Sequence, residues 1–197
     1  MLSLNSFFFL IKNLNVKLSL SGRGKINFGT VDGSVITLDK QMNVNSYQLF
    51  DIDMTCMTQF KNENILVAGG HDSSNSNYPV IKVLKLDKMD ETNMRPLTIV
   101  MNQANSTVTS LAINEINNSM VVGLSGGEVF IYKNDVLKYK NEKPRLIHEA
   151  PHGITALAFK NINKFCLIYL ATEHTIITIT LGGKDKDEKV NHLLIYL

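Results

Sequence analysis

The stretch SGRGK at residues 21–25 has the glycine and lysine content of a phosphate cradle. A phosphate loop of that type needs Gly at 19 and Ser or Thr at 26, where Ser19 and Ile26 stand. A dinucleotide turn would need Gly at 27, which is Asn27. No helical pattern follows to aim its N-terminus at an anion, so 21–25 reads as a turn. The histidines are His71, His148, His152, His174 and His192. No pair has the spacing of a zinc helix and no cysteine joins them. His148 and His152 flank Pro151 in a connecting loop and are the one candidate metal pair. Gly70-His71 resembles the Gly-His dipeptide of some propeller repeats, but it follows the second strand of its unit and reads as coincidence. Asp51, Asp53 and Asp72 are carboxylates with no pairing that spacing establishes. There is no G-x-S-x-G elbow. The reading is therefore of no catalytic, metal or cofactor-binding residue.

Bulk properties narrow the classes further. The 197 residues are 44% hydrophobic, enough for one buried core. Twenty basic and 18 acidic residues leave a net charge of +2, without a basic stripe for nucleic acid. Cys56 and Cys166 lie 110 residues apart with no CxxC, and read as buried free thiols in a reducing compartment. The sequons at Asn105 and Asn117 fall in an Asn-rich chain and read as chance. The start, MLSLNSFFFLIKNL, lacks a charged leader region and a cleavage site, so Phe7 to Ile11 read as a strand. No run reaches the ~20 apolar residues of a membrane helix.

The elements that position these residues repeat. MTCMTQF from Met54, VTSLAIN from Val108 and ITALAFK from Ile154 align without gaps, each with an apolar residue, Thr and a small residue at its start. A second apolar run follows each: 65–70, 120–125 and 167–172. Third runs lie at 80–86, 128–133 and 175–181, and fourth runs at 97–101, 145–150 and 192–197. The first stretch fits the same template with runs at 16–20, 25–31, 34–39 and 46–50. Units start at 16, 54, 108 and 154, so they are 38, 54 and 46 residues apart. The runs are short, β-branched and bounded by Gly, Asn, Asp and Ser, which predicts strands. Four strands per ~40–45 residues is the signature of a β-propeller.

The fold class predicted is all-β: a partial, WD40-like β-propeller of about four blades, with four short antiparallel strands per blade. The blades run roughly 16–53, 54–107, 108–153 and 154–197. Phe7 to Ile11 are assigned to a closing blade that is missing, which makes the chain a fragment. GTVDGSV from Gly29 and GLSGGEV from Gly123 share the spacing Gly-x-x-x-Gly-x-apolar. Asp32-Gly33 and Gly126-Gly127 are expected to supply the positive φ angles of tight hairpins. Gly29 and Gly123, at the ends of second strands, are expected to let neighbouring backbone approach. Gly24, Gly29, Gly33, Gly123 and Gly127 are thus structural turn residues. Polar loops are expected at 69–79, 85–96 and 182–191.

The ordered set SGRGKINFGTVDGSV, PVIKVLKLDK, VTSLAINEINNSMVVGLSGGEVFIYKNDV and ITALAF…LATEHTIITITLGGKD resembles the N-terminal propeller of the vacuolar protein sorting-associated protein 11 family, from about Phe7 to Asp187. The family's SGRG turn falls on Ser21 to Gly24 and its glycine-bounded hairpin on Gly123 to Glu128. The resemblance implies a seven-bladed N-terminal propeller, of which these residues make about four blades, in a core subunit of the HOPS and CORVET tethering complexes, peripheral on the cytosolic face of late endosome, lysosome or vacuole membranes. Its implied partners are the other class C vacuolar protein sorting subunits. The family's α-solenoid and RING zinc domain have no counterpart in these residues, so zinc binding and solenoid assembly are not carried over. Two other classes stay open. A catalytic propeller is opposed by the lack of Trp and of the Ser-x-Asp-x-Gly-x-Thr-Trp box. A generic cytosolic propeller adaptor differs from the tethering subunit only by the resemblance.

Overall fold

The structure is a computed structural model and describes residues 15–75, 77–89, 95–133, 143–163, 165–181 and 195–196. Phe7 to Ile11 and the loop at 182–191 lie outside the described residues, as do 90–94 of the loop at 85–96. The chain divides into two compact units, Met1–Asn105 and Ser106–Leu197. Each holds two four-stranded sheets among its described residues, and every sheet is an antiparallel meander.

In the first unit, sheet one comprises β1 (Val16–Gly22), β2 (Lys25–Thr30), β3 (Ser34–Asp39) and β4 (Val44–Gln48). Sheet two comprises β5 (Asp53–Gln59), β6 (Ile65–His71), β7 (Val80–Lys85) and β8 (Leu97–Val100). In the second unit, sheet three comprises β9 (Val108–Asn114), β10 (Ser119–Leu124), β11 (Glu128–Lys133) and β12 (Arg145–Glu149). Sheet four comprises β13 (Ala156–Ile162), β14 (Phe165–Ala171), β15 (Thr175–Leu181) and β16 (Ile195–Tyr196). Within each unit the first strand of one sheet lies beside the first strand of the next, β1 by β5 and β9 by β13. This all-β order of four-stranded meanders is the β-propeller class.

Burial explains the strand compositions. β10 is buried at every position, and β6 at all but its last residue. Strands covered on both faces read as continuous apolar runs, ILVAGG and MVVGL, instead of alternating. β14 alternates instead, with Cys166, Ile168 and Leu170 buried and Phe165 56% exposed. Core residues of both sheets meet in each unit. Phe50, Met54, Leu66, Val80 and Leu84 form the first cluster. Val121, Val129, Ile154, Ile168 and Ile177 form the second. An amide pair also ties β9 to β13: Asn114 Nδ2 donates to Asn161 Oδ1 at 3.0 Å, and Asn161 Nδ2 returns to Asn114 Oδ1 at 3.2 Å.

Three expectations shift. The fourth strand of sheet one ends at Gln48, not Phe50. Leu49 and Phe50 turn inward, and both backbone N–H groups donate to Gly33 O, at 3.1 and 3.0 Å. Gly69, Gly70 and His71 belong to β6, with Gly70 opposite Val80, so the loop expected from 69 begins at Asp72. The first strand of sheet four begins at Ala156, because Ile154 N–H leaves the ladder to donate to Leu124 O at 3.0 Å.

Candidate functional site

The paired glycine motifs set the ends of the sheets. Gly33 has φ +86° and Gly127 has φ +99°, the left-handed region that glycine enters freely. Each N–H closes a four-residue turn, Gly33 to Thr30 O and Gly127 to Leu124 O, both at 3.1 Å. Only the second residue of each dipeptide has positive φ. That departs from the expected hairpin: it is a four-residue turn ending in a left-handed glycine, not a two-residue turn with both angles positive. The carbonyls of Gly33 and Gly127 then accept from Phe50 N–H at 3.0 Å and Ala150 N–H at 2.9 Å. A Cβ on Gly33 would stand 2.4 Å from Phe50 O, and one on Gly127 2.1 Å from Ala150 O.

Gly29 and Gly123 have another role. A Cβ on Gly29 would meet Met54 Sδ at 2.9 Å, and one on Gly123 would meet Ile154 Cγ2 at 2.5 Å. Neighbouring side chains approach here, not the neighbouring backbone that was expected. Met54 and Ile154 are the apolar residues that open the following repeat, so each glycine leaves room for the next sheet. Gly24, at φ +74°, shares a two-residue turn with Arg23 at φ +49° between paired Gly22 and Lys25. Both residues being left-handed makes this a type I′ hairpin, and SGRG is a turn.

The turn after β2, the connector 49–52 and the loop after β6 are joined by hydrogen bonds at one end of the first unit. Gln48 Nε2 donates to Asp32 O at 2.7 Å and to Phe50 O at 2.5 Å, which fastens the turn to the connector. Lys82, on β7, reaches Asp72 Oδ2 at 2.5 Å and donates to Leu49 O at 2.6 Å. Its Nζ also lies 4.9 Å from the centre of the Phe50 ring. The Lys82 and Asp72 side chains are only 12% and 9% exposed. Asp72 Oδ1 accepts from Asp51 N–H at 3.3 Å. Ser73 donates its N–H to Asp51 Oδ1 at 2.8 Å and its hydroxyl to Oδ2. These bonds, from the Ser73 hydroxyl first, hold the Asp51 carboxyl below its usual range. The Thr30 hydroxyl chiefly does the same for Asp32. His71 Nδ1 lies 2.7 Å from Asp53 Oδ1.

All three carboxylates singled out in the sequence therefore meet here, and each is used to hold a loop or a side chain. The Ser73 hydroxyl goes to Asp51, and His71 faces Asp53 instead of a hydroxyl. Sequence reading missed Lys82. Its signal was a lone lysine inside the apolar run VIKVL.

In the second unit, His152 pairs with His174 and not with His148: the two exposed rings meet edge-on at 4.8 Å. Among the described residues no three His, Cys, Asp or Glu side chains are grouped to hold a metal. Cys56 and Cys166 are buried and not joined in a disulfide, and desolvation pushes Cys56 up to about 12.

The sequence matches the PEP5/VPS11 N-terminal family over residues 3–193. The chain belongs to that family. It is 27% identical over 168 residues to the vacuolar protein sorting-associated protein 11 homologs of Homo sapiens and Mus musculus, covering 84% of this chain and 18% of each relative. The Dictyostelium discoideum homolog is 26% identical over 188 residues, covering 90% of this chain and 19% of its own length. The chain thus spans about a fifth of these relatives. The computationally designed Ika4 protein superposes with a TM-score of 0.62 at 18% identity, over 86% of this chain and 93% of Ika4. That likeness concerns the fold alone. Among the described residues no helix is long and apolar enough to cross a membrane. The PEP5/VPS11 N-terminal domain in this chain is thus a β-propeller-type domain of a vacuolar protein sorting family.

Proposed function

We propose that the chain is a non-catalytic scaffold module of vesicle tethering, working in a HOPS- or CORVET-like complex in transport between endosomes and lysosomes or the vacuole. The family match over residues 3–193 is the observation that carries this reading. Its partners are the other class C vacuolar protein sorting subunits, and it sits peripherally on the cytosolic face of late endosome, lysosome or vacuole membranes. The polar groups at the loop end of the first unit favour holding over chemistry, because Asp51, Asp72 and Lys82 are engaged in fixing loops. Gly24, Gly29, Gly33, Gly123 and Gly127 act as frame residues.

Each sheet is one blade, within the limits 16–53, 54–107, 108–153 and 154–197. The half-open face of sheet four, with Ile162 and Phe165 43% and 56% exposed, receives a further blade of a longer propeller. Depleting the gene product in its native cell and following an endocytosed tracer tests the assignment. Arrest of the tracer before the degradative compartment is expected. Delivery at the normal rate would contradict it.

A further inference from the structure

A groove of about 580 Å³ opens at the loop end of the first unit. Val31 and Ile52 lie on its rim and are 53% and 48% exposed, against a floor that includes buried Ile36. Both are unusual places for aliphatic side chains. Val31 occupies a turn position that commonly carries a polar residue. Ile52 is the centre of the tripeptide Asp51-Ile52-Asp53. Apolar exposure rimmed by polar groups marks interaction surfaces.

Among the described residues that line it, the charge is one-sided. Asp32 lines the groove and Asp51 adjoins Ile52, and hydrogen bonds from Thr30 and Ser73 lower both carboxyls below their ordinary value. Lys82, the cation of this end, is mostly buried and matched by Asp72. None of the residues lining the groove is basic. Phosphate-bearing surfaces, whether lipid or nucleic acid, are repelled by such a rim.

We propose that this groove docks a short polypeptide segment of a partner in which an aliphatic residue is flanked by lysine or arginine. The aliphatic side chain would cover Val31 and Ile52 while the flanking cations face Asp32 and Asp51, the complementarity that sets specificity and association rate. The inference rests on reading the chain as an interaction module and is silent on which complex it joins.

The test is a fluorescence polarisation titration of the full chain with the labelled peptide RKLIKR, beside the controls RKGSKR and EELIEE. RKLIKR is expected to bind at least tenfold tighter than either control. The double variant Val31→Ser, Ile52→Ser is expected to lose that tenfold, and added salt to weaken binding further. Equal binding of RKLIKR and RKGSKR, undiminished binding by the variant, or no binding would overturn the proposal. So would a concentration-dependent dimer abolished by the same variant, or competition by phosphatidylserine vesicles. Should the variant misfold, the peptide comparison on the unaltered chain decides alone. Peptide binding without class C subunits in a cell purification would spare the groove and fail the tethering assignment; the reverse outcome would do the opposite.

Discussion

The Thr109 hydroxyl is shared between two carbonyls, that of Gly123 at 3.1 Å, across the start of β9 and the end of β10, and that of Ile154 in the connector to the next sheet. Thr55 makes the same bond to Gly69, and Thr155 to Ala171, each also at 3.1 Å. The ladder is irregular at Thr55 and Thr109, where the register shifts between Met54 and Cys56 and between Gly123 and Leu124. A bulge leaves backbone groups out of the ladder, and the hydroxyl supplies the missing donor. At Thr55 and Thr109 the hydroxyl therefore helps to complete the joint between first and second strands, whereas Ala171 O already accepts from Thr155 N–H at 2.8 Å.

Thr109→Val keeps shape and removes the donor. It should cost about 1–3 kcal/mol, the penalty for an acceptor left unpaired away from water. Thr109→Ser should recover most of it. Urea unfolding of the three proteins checks this, and equal midpoints for Val and wild type would sink the role given to the hydroxyl.

Gly33→Val and Gly127→Val should each destabilise by about 1–3 kcal/mol from positive φ alone. The backbone oxygen that a Cβ would meet adds to that cost at both positions. Val at Gly29 works differently, because the obstacle is the flexible Met54 side chain. Truncating Met54 to Ala in the Gly29→Val background should recover part of the loss, whereas no side-chain truncation should rescue Gly33→Val. Thermal melts of these variants decide it; rescue of Gly33→Val by any such truncation would refute the backbone collision.

Strand existence was legible because short β-branched runs recur in fixed order, and β9, β11 and β15 begin and end at the residues expected. Ends were less legible where an apolar residue is buried by a connector. Leu49, Phe50 and Ile154 look like strand residues, yet each N–H bonds outside its own strand's ladder. Turn type was hidden for a similar reason: Asp-Gly suits several turns, and the hydrogen bond from Phe50 to Gly33 O selects among them. The Lys82–Asp72 pair was illegible because a lysine in a strand normally points to water. Only the folded chain shows a carboxylate and a carbonyl beside it.

That pair predicts non-additive energetics. Lys82→Met strands a buried carboxylate and should cost about 3–5 kcal/mol. Adding Asp72→Asn, which keeps an acceptor for Asp51 N–H, should make the double variant more stable than Lys82→Met alone. Strictly additive losses in a double-mutant cycle would show that the two charges do not interact.

Asp51 predicts a pH effect with a definite sign. Its folded carboxyl titrates below the ordinary value of 3.8. Its contribution is therefore fully present above that value and is lost as pH falls through the lowered one. The melting-temperature gap between wild type and Asp51→Asn should be widest at neutral pH, begin to shrink only below the ordinary value of 3.8 and close once the pH is below the lowered one. A gap that stayed constant down to acid would remove the charge from the explanation.

The central claim is that this domain belongs to a sorting scaffold that works by holding partners. Its most direct test is a pair of affinity purifications from the native cell, one with these 197 residues alone and one with the full product of the gene. Relatives are about five times longer than this chain, and the tethering proposal places assembly mainly in the part of them that this chain does not match. The account predicts that the full product recovers the other class C sorting subunits and that the 197-residue piece recovers few or none. Recovery of the whole complex by the short piece, or of no sorting subunit by either form, would contradict it.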